Sequence, residues 1–482
     1  MNLIATAGLG SGIMAILIGL AVYRLRQRPL SLERFRPRLE DTLNNRVAPL
    51  QATVGGLAAT RLRWSGIEIT ARDIRLLGED GHLWVSFAQV VLLTPLSAVL
   101  SPRGLETFTG PWLFSGAMVD ALSPQPPFEA LHGIATATDE SLRFDIAGGR
   151  WAEVAVTQGT IMFEGLVEDQ TQADISFHCN ATAAAALQAV TAAPLDVVDP
   201  SLFPKTGIEG TVEADINLKF SFDELPRMDH STKAEVRDLR MPNVIGGLDL
   251  SEGLFDITVV NDTATVEGKA HLGGVPTTLG YSKPAGSQPE TLQINTTDVG
   301  ALAALMDISG RLAGGRLGMR LARHGDEEPW SGSVGIQHIR VLQAPLLSRL
   351  LTMASLTGLV STLISDGLKV EDAHAELTIE PERLRCPSVR ISVDQLEITG
   401  QVDFHLKTDR IQGEGLLIPA AALQRLVGAV PVLGAFLEGF GKKNTPIVAT
   451  RFTLSGPLSY PEITVHPLSS IAPDILRDLG LV

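Results

Sequence analysis

The feature that most constrains this fold is a two-residue alternation of apolar and polar side chains that returns along much of the chain. It is clearest from Ile208 to Phe222. There Ile208, Val212, Ala214, Ile216, Leu218, Phe220 and Phe222 share one parity, and Glu209, Thr211, Glu213, Asp215, Asn217, Lys219 and Ser221 take the other. Neighbouring side chains of a strand point to opposite faces, so the run reads as an antiparallel strand with one dry face and one wet face. The pattern returns at Leu62–Leu76, interrupted at Asp73, and again beyond the turn Gly78–Gly81 at Trp84–Phe87. It recurs at Phe255–Val259, Ala264–Ala270, Ala373–Ile379, Leu396–Leu406 and Phe452–Leu454. Helical stretches are few: Leu32–Val54, the Ala-rich Thr182–Ala193, Thr297–Met306 with a Thr-Asp start suited to capping, Pro345–Ile364 and Pro419–Phe440.

The expected class is therefore mainly β, with few short helices to cover many half-apolar strands. Each dry face must be buried against something. One solution is protein against protein, in sandwiches or closed barrels, and by the pattern alone this is the first expectation. The other is a curved open sheet whose dry face lines a groove for an apolar ligand. Periodicity does not separate the two.

Composition narrows the function. With 482 residues, 45% hydrophobic and 19% charged, the chain can bury a large core and is too apolar for disorder. A net charge of −15 argues against a nucleic-acid partner, which needs a basic face. It also disfavours anionic headgroups, so contact with lipid is expected through acyl chains. Cys179 and Cys386 lie outside any CxxC pair, so they read as two buried thiols, with one disulfide as the alternative.

No nucleophile elbow, Walker A loop or GxGxxG is present. His178 beside Cys179 would point away from it on a strand, and His374 with Glu376 shares a wet face. Like His338 and His405, these read as solvated or hydrogen-bonded histidines rather than metal ligands. No catalytic residue, metal or cofactor is expected.

At the start, Leu3–Tyr23 is free of charge and of the length that crosses a bilayer, with Ile13, Ile16, Leu17 and Leu20 along it. It lacks a basic n-region and a small-residue cleavage site, so an anchor is expected over a removed signal peptide. Arg24, Arg26 and Arg28 follow the span, and the positive-inside rule alone would leave the body in the cytoplasm.

Several motifs carry a family resemblance. They are Leu342-Gln-Ala-Pro-Leu-Leu-Ser-Arg-Leu-Leu-Thr-Met-Ala-Ser-Leu-Thr-Gly358, Gly413–Pro419, Pro431–Gly434, Ser455-Gly-Pro-Leu-Ser-Tyr-Pro461 and Ile463–Arg477. Looser matches are Trp64–Gly66 and Ala234–Gly280. Together they resemble the AsmA-like proteins, in the YhdP-type branch, with His466 where Asn is usual and Tyr460 where Asp is usual. The resemblance implies a single-pass bacterial inner-membrane protein with its body in the periplasm. It also implies an elongated, twisted antiparallel sheet of the repeating β-groove type that holds phospholipid and aids its transport between inner and outer membranes.

On that expectation residues 1–29 are the anchor, 30–340 the groove body and 341–482 the AsmA-like C-terminal region. Roughly 25 strands at about 4.8 Å each would make a groove on the order of 120 Å long. The expected lining is Ile216, Leu218, Phe220, Ile257, Val259, Val266, Ile398, Val402 and Phe404. Leu346, Leu350, Leu423 and Leu426 lie on C-terminal helices that cap the groove, touch a membrane interface or plug the sheet end. The competing reading is a structural or assembly factor that pairs with strands of an outer-membrane or other envelope protein and carries no lipid.

Overall fold

The structure is a computed structural model. It describes residues 30–47, 50–63, 66–94, 111–120, 124–138, 140–165, 172–192, 203–221, 228–306, 311–325, 328–343, 345–353, 366–393, 396–419, 450–458 and 460–467. The expected anchor residues Ile13, Ile16, Leu17 and Leu20 lie outside these, as do Leu423 and Leu426. No helix among the described residues is long and apolar enough to cross a membrane.

The elements begin with β1 (Leu30–Ser31), α1 (Arg36–Val47), β2 (Gln51–Arg63), β3 (Gly66–Leu77), β4 (Leu83–Thr94), β5 (Pro111–Val119) and β6 (Phe128–Ala137). Next come β7 (Ser141–Trp151), β8 (Val154–Glu164), β9 (Gln172–Thr182), α2 (Ala183–Thr191), β10 (Glu209–Ser221), β11 (Met228–Ile245) and β12 (Leu248–Val260). Then follow β13 (Thr263–Leu272), β14 (Val275–Lys283), β15 (Glu290–Thr296), α3 (Val299–Leu305), β16 (Arg311–Arg323), β17 (Trp330–Gln343) and α4 (Pro345–Met353). The last are β18 (Leu368–Glu380), β19 (Arg383–Val393), β20 (Leu396–His405), β21 (Arg410–Pro419), β22 (Thr450–Pro457) and β23 (Glu462–Pro467).

The strands make one long, open antiparallel sheet, not a sandwich or closed barrel. Two compact units divide it, one within Met1–Leu202, Gly210–Glu235 and Val259–Asn261, the other within Phe203–Glu209, Val236–Thr258 and Asp262–Val482. In the first unit sequential hairpins run from β2 to β10. In the second they run from β13 to β23. A two-residue loop, Gly273–Gly274 with φ of 55° and 81°, joins β13 to β14. Both loop positions need positive φ, which glycine takes without strain.

The helix expected over Leu32–Val54 is shorter. Helix α1 ends at Val47, and from Gln51 the chain is strand β2, with Ala52, Val54, Leu57 and Ala59 buried. Leu39 and Leu43 of α1 pack on the same cluster as Val54, Leu57, Ile69 and Ala71. The polar side of this segment guards the sheet edge. The Ala52 amide donates to Asn44 Oδ1 (2.6 Å), that of Val54 to Glu40 Oε1 (2.8 Å) and that of Leu57 to Glu33 Oε1 (3.0 Å). Helix-borne acceptors thus stand where a further strand would offer carbonyls, one of the ways an edge is kept from pairing with another chain.

Helix α2 starts where Thr182 Oγ1 accepts from the Ala185 amide (3.2 Å), and α3 where Asp298 Oδ1 accepts from the Ala301 amide (3.0 Å). Of Pro345–Ile364, the described part is helical through Met353. Pro419, expected to open a helix, is the last residue of β21, and residues 420–449 lie outside the description.

Candidate functional site

Strand pairing turns the alternation of single strands into continuous rows. In the first unit Ile69 opposes Leu92, then Trp112, Ala135, Phe144, Ile161, Ile175 and finally Leu218, one residue from each strand β3 to β10. The adjacent row runs from Ala71 through Val90, Phe114, Gly133, Ile146, Gly159 and Phe177 to Ile216. Phe220 ends a third, through Ala173, Phe163 and Leu142. Ile216, Leu218 and Phe220 therefore belong to one apolar face shared by eight strands. On β10 they are half-buried while Glu213, Asp215, Asn217 and Lys219 are exposed.

The aromatic part of this face was not read from the sequence. Trp112 meets Phe87, Phe114 and Phe144 edge-on at centroid distances of 6.0, 6.2 and 5.7 Å, and Phe128 stacks on Trp151 and Phe177. Offset and edge-on pairs add packing beyond area burial. Their signal, alternation in Pro111–Val119 and Ser141–Trp151, is broken by register shifts at Phe114/Ala117 and Ala117/Val119 and by Gly116 at φ 61°. The other face of β4–β6 is not uniformly polar, for Leu113 and Ile134 oppose each other at 55% and 45% exposure.

In the second unit Val266 opposes Tyr281, then Leu292 and Leu321. Ile398 lies between Ile391 and Leu417, Val402 opposes Cys386, and Phe404 opposes Leu384. Val266, Ile398, Val402 and Phe404 are half-buried on this apolar parity. Ile257 and Val259 are half-buried too, but so is Thr258 between them, and exposure does not alternate there.

One margin of this face is closed by a helix. Leu350 and Leu351 of α4, at 6% and 0% exposure, pack with Ile339, Leu368, Val370, Val393, Leu396, Leu417 and Ile463. Leu346 belongs to α4, but its side chain is outside the description. Strand β21 departs from the one-dry-face expectation. Leu416 and Ile418 are buried as well as Leu417, because a continuous Leu-Leu-Ile run is the pattern of a strand covered on both sides.

Charge marks another margin. On the apolar parity, Glu290 is buried between Arg323 Nη2 (2.9 Å) and Lys283 Nζ (3.3 Å) and accepts from the Tyr281 hydroxyl (3.2 Å). Burial pushes its carboxyl up, but the Arg323 and Lys283 hydrogen bonds outweigh this and hold it below the ordinary carboxylate range. Arg323 also lies 4.8 Å from the ring centroid of Trp330.

The two cysteines are free and buried. Burial pushes the Cys179 thiol up to about 11, with the Asp215 carboxylate adding to it, so the group stays protonated at neutral pH. His178 lies on the opposite side of β9, its Nδ1 2.7 Å from Asp215 Oδ1 and its Nε2 3.3 Å from Glu213 Oε1. The Asp215 hydrogen bond raises its pKa. The arrangement is a surface ion pair. His374 and Glu376 are exposed on the polar parity of β18.

Comparison with protein-family models, with curated proteins and with solved structures finds no match to this chain.

Proposed function

We propose that this chain is a membrane-anchored lipid carrier of AsmA-like type. It holds phospholipid acyl chains in a groove along the apolar face of its sheet and aids lipid movement between the inner and outer membranes of a bacterial envelope. The observation that carries this reading is the unbroken apolar register from Ile69 to Leu218, ending in side chains that are only half-buried. A sheet face of that kind has apolar surface left over, and each acyl methylene it takes from water is worth about 0.8 kcal/mol. Headgroups stay at the wet margin. Residues 1–29 supply the anchor, and the body lies in the periplasm. An outer-membrane or other envelope protein is the expected partner at the far end. The edge-pairing reading is less favoured, because the carboxylates of Glu33 and of Glu40 in α1 already occupy amides of β2.

The test is a phospholipid count on the full chain, purified and washed free of bulk lipid, beside a Leu218→Glu/Phe220→Glu variant. Several phospholipids per chain are expected, with few left in a variant that keeps its far-UV circular dichroism. A folded wild-type protein without lipid would refute the reading.

A further inference from the structure

The polar face of the second unit has a depression of about 830 Å3. It is lined mainly from the polar parity, with Ala270, Thr277, Thr296 and Leu317 of the neighbouring apolar-parity row beside it. Its floor is the register row Lys269, Thr278, Asn295, Gly318 and Gly335, one residue from each strand β13 to β17. Arg316, two residues from Gly318, opposes Gln337 across the same trough.

The two glycines sit in strand interiors, as do the similarly open Gly56 and Gly280. Neither Gly318 nor Gly335 has positive φ. A Cβ at Gly335 would meet nothing closer than His374 Nδ1 at 4.0 Å, and one at Gly318 would meet Asn295 Oδ1 at 3.2 Å. By contrast, a Cβ at Gly332 would strike the Arg320 carbonyl, and one at Gly400 the Glu414 carbonyl. Crowding explains those two and does not explain Gly335. A glycine inside a strand costs about 0.5–1 kcal/mol relative to alanine, and one that the fold does not require leaves room for a ligand against the backbone.

The charges around this floor point to the ligand's sign. Lys269 and Arg316 are exposed, and among the described residues neither has an ion-pair partner. The one carboxylate in the lining, Glu252, lies 3.4 Å from His271 Nδ1. In a chain of net charge −15, two unpaired cations over one glycine floor form a local positive site. They stand three strand intervals and two residues apart, about 16 Å between backbones at about 4.8 Å per strand and about 3.4 Å per residue, with Thr278 and Asn295 between them. Long cationic side chains at that spacing can share one oxyanion, and the hydroxyl and amide groups can meet the hydroxyls of its carrier.

We infer that this trough binds a phosphate group carried on a hydroxylated body, such as a phosphorylated polyol. The probes are glycerol 3-phosphate and phosphatidylglycerol in nonionic micelles, titrated calorimetrically into the full chain. The variants are Lys269→Gln/Arg316→Gln, which removes the charge, and Gly335→Leu, which fills the floor without a backbone clash. Saturable binding that falls about tenfold or more in both variants, at unchanged melting temperature, is the expected result. If glycerol 3-phosphate binds in this way, the phosphate arrives on a free solute. If only phosphatidylglycerol does, it arrives as a lipid headgroup. The inference is overturned if neither probe saturates, or if a folded variant of either kind binds like the wild type.

Discussion

The same apolar parity meets two different fates in this molecule. Along β17–β21 it lies under α4, and Leu351, Leu396 and Leu417 are at most 2% exposed. On β10 it ends in Ile216, Leu218 and Phe220, all half-buried with no interruption of the alternation. The difference is not in the alternation of most strands, which both places share, with β21 the exception through its buried Leu416, Leu417 and Ile418. It lies in what the following helix brings: α4 sets Leu350 and Leu351 on the β17–β21 cluster, whereas α2 brings the small Ala189 to the cluster that Ile216 joins. A covered stretch is core, and its side chains hold the fold. A less covered stretch, half-buried as on β10, has apolar surface to spare for a ligand.

The comparison can be broken by truncation. Leu351→Ala is expected to cost about 3 kcal/mol in denaturant unfolding, the range for a fully buried leucine. Leu218→Ala should cost about 1 kcal/mol, because only part of its surface leaves water on folding. Equal costs would mean that the two stretches are not different.

The charged margin sharpens it. Glu290→Gln leaves Arg323 and Lys283 without their carboxylate on the apolar parity, at an expected cost of about 2 kcal/mol near neutral pH. Because the folded pKa of Glu290 is depressed below 4.5, its contribution is present above that pH and lost as pH falls through the folded value. Wild type and variant should therefore converge in acid urea titrations, and a constant difference would remove the charge from the explanation.

The guarded edge comes next. Glu40→Ala frees the Val54 amide, at about 1 kcal/mol, and should raise concentration-dependent association in sedimentation. Glu40→Gln, which keeps an acceptor, should stay close to wild type. If the alanine variant remains as monodisperse as the wild type, α1 is not an edge guard.

The smallest effect belongs to the polar side. His178→Ala should cost a few tenths of a kcal/mol, since an exposed ion pair is screened. His178 has a raised folded pKa, so its contribution is full below 6.5 and fades as pH rises through the folded value. A cost that grows with pH would contradict the assignment.

Much of this was legible in residues taken two at a time. Strand β10 could be read directly because thirteen residues, Glu209–Ser221, keep one period without a bulge. The aromatic rows of β5–β9 could not, because bulges near Gly116 and Ala130 (φ 54°) shift parity within the strand. Helix α1 was read too long because Leu43, Val47, Leu50 and Val54 recur at helical spacing across the point where the helix gives way to strand β2. The antiparallel ladder of β2 with β3, together with the hydrogen bonds from β2 to Glu33, Glu40 and Asn44, separates the two. The trough over Gly318 and Gly335 was invisible, since strand register decides which glycines face each other.

The central claim is tested most directly by a photo-reactive amino acid placed in turn at 216, 217, 218, 219 and 220 of the full chain, in cells. Lipid adducts at 216, 218 and 220, with none at 217 and 219, is the predicted result. Adducts at all five positions, at none, or with the opposite parity would contradict a lipid-holding apolar face.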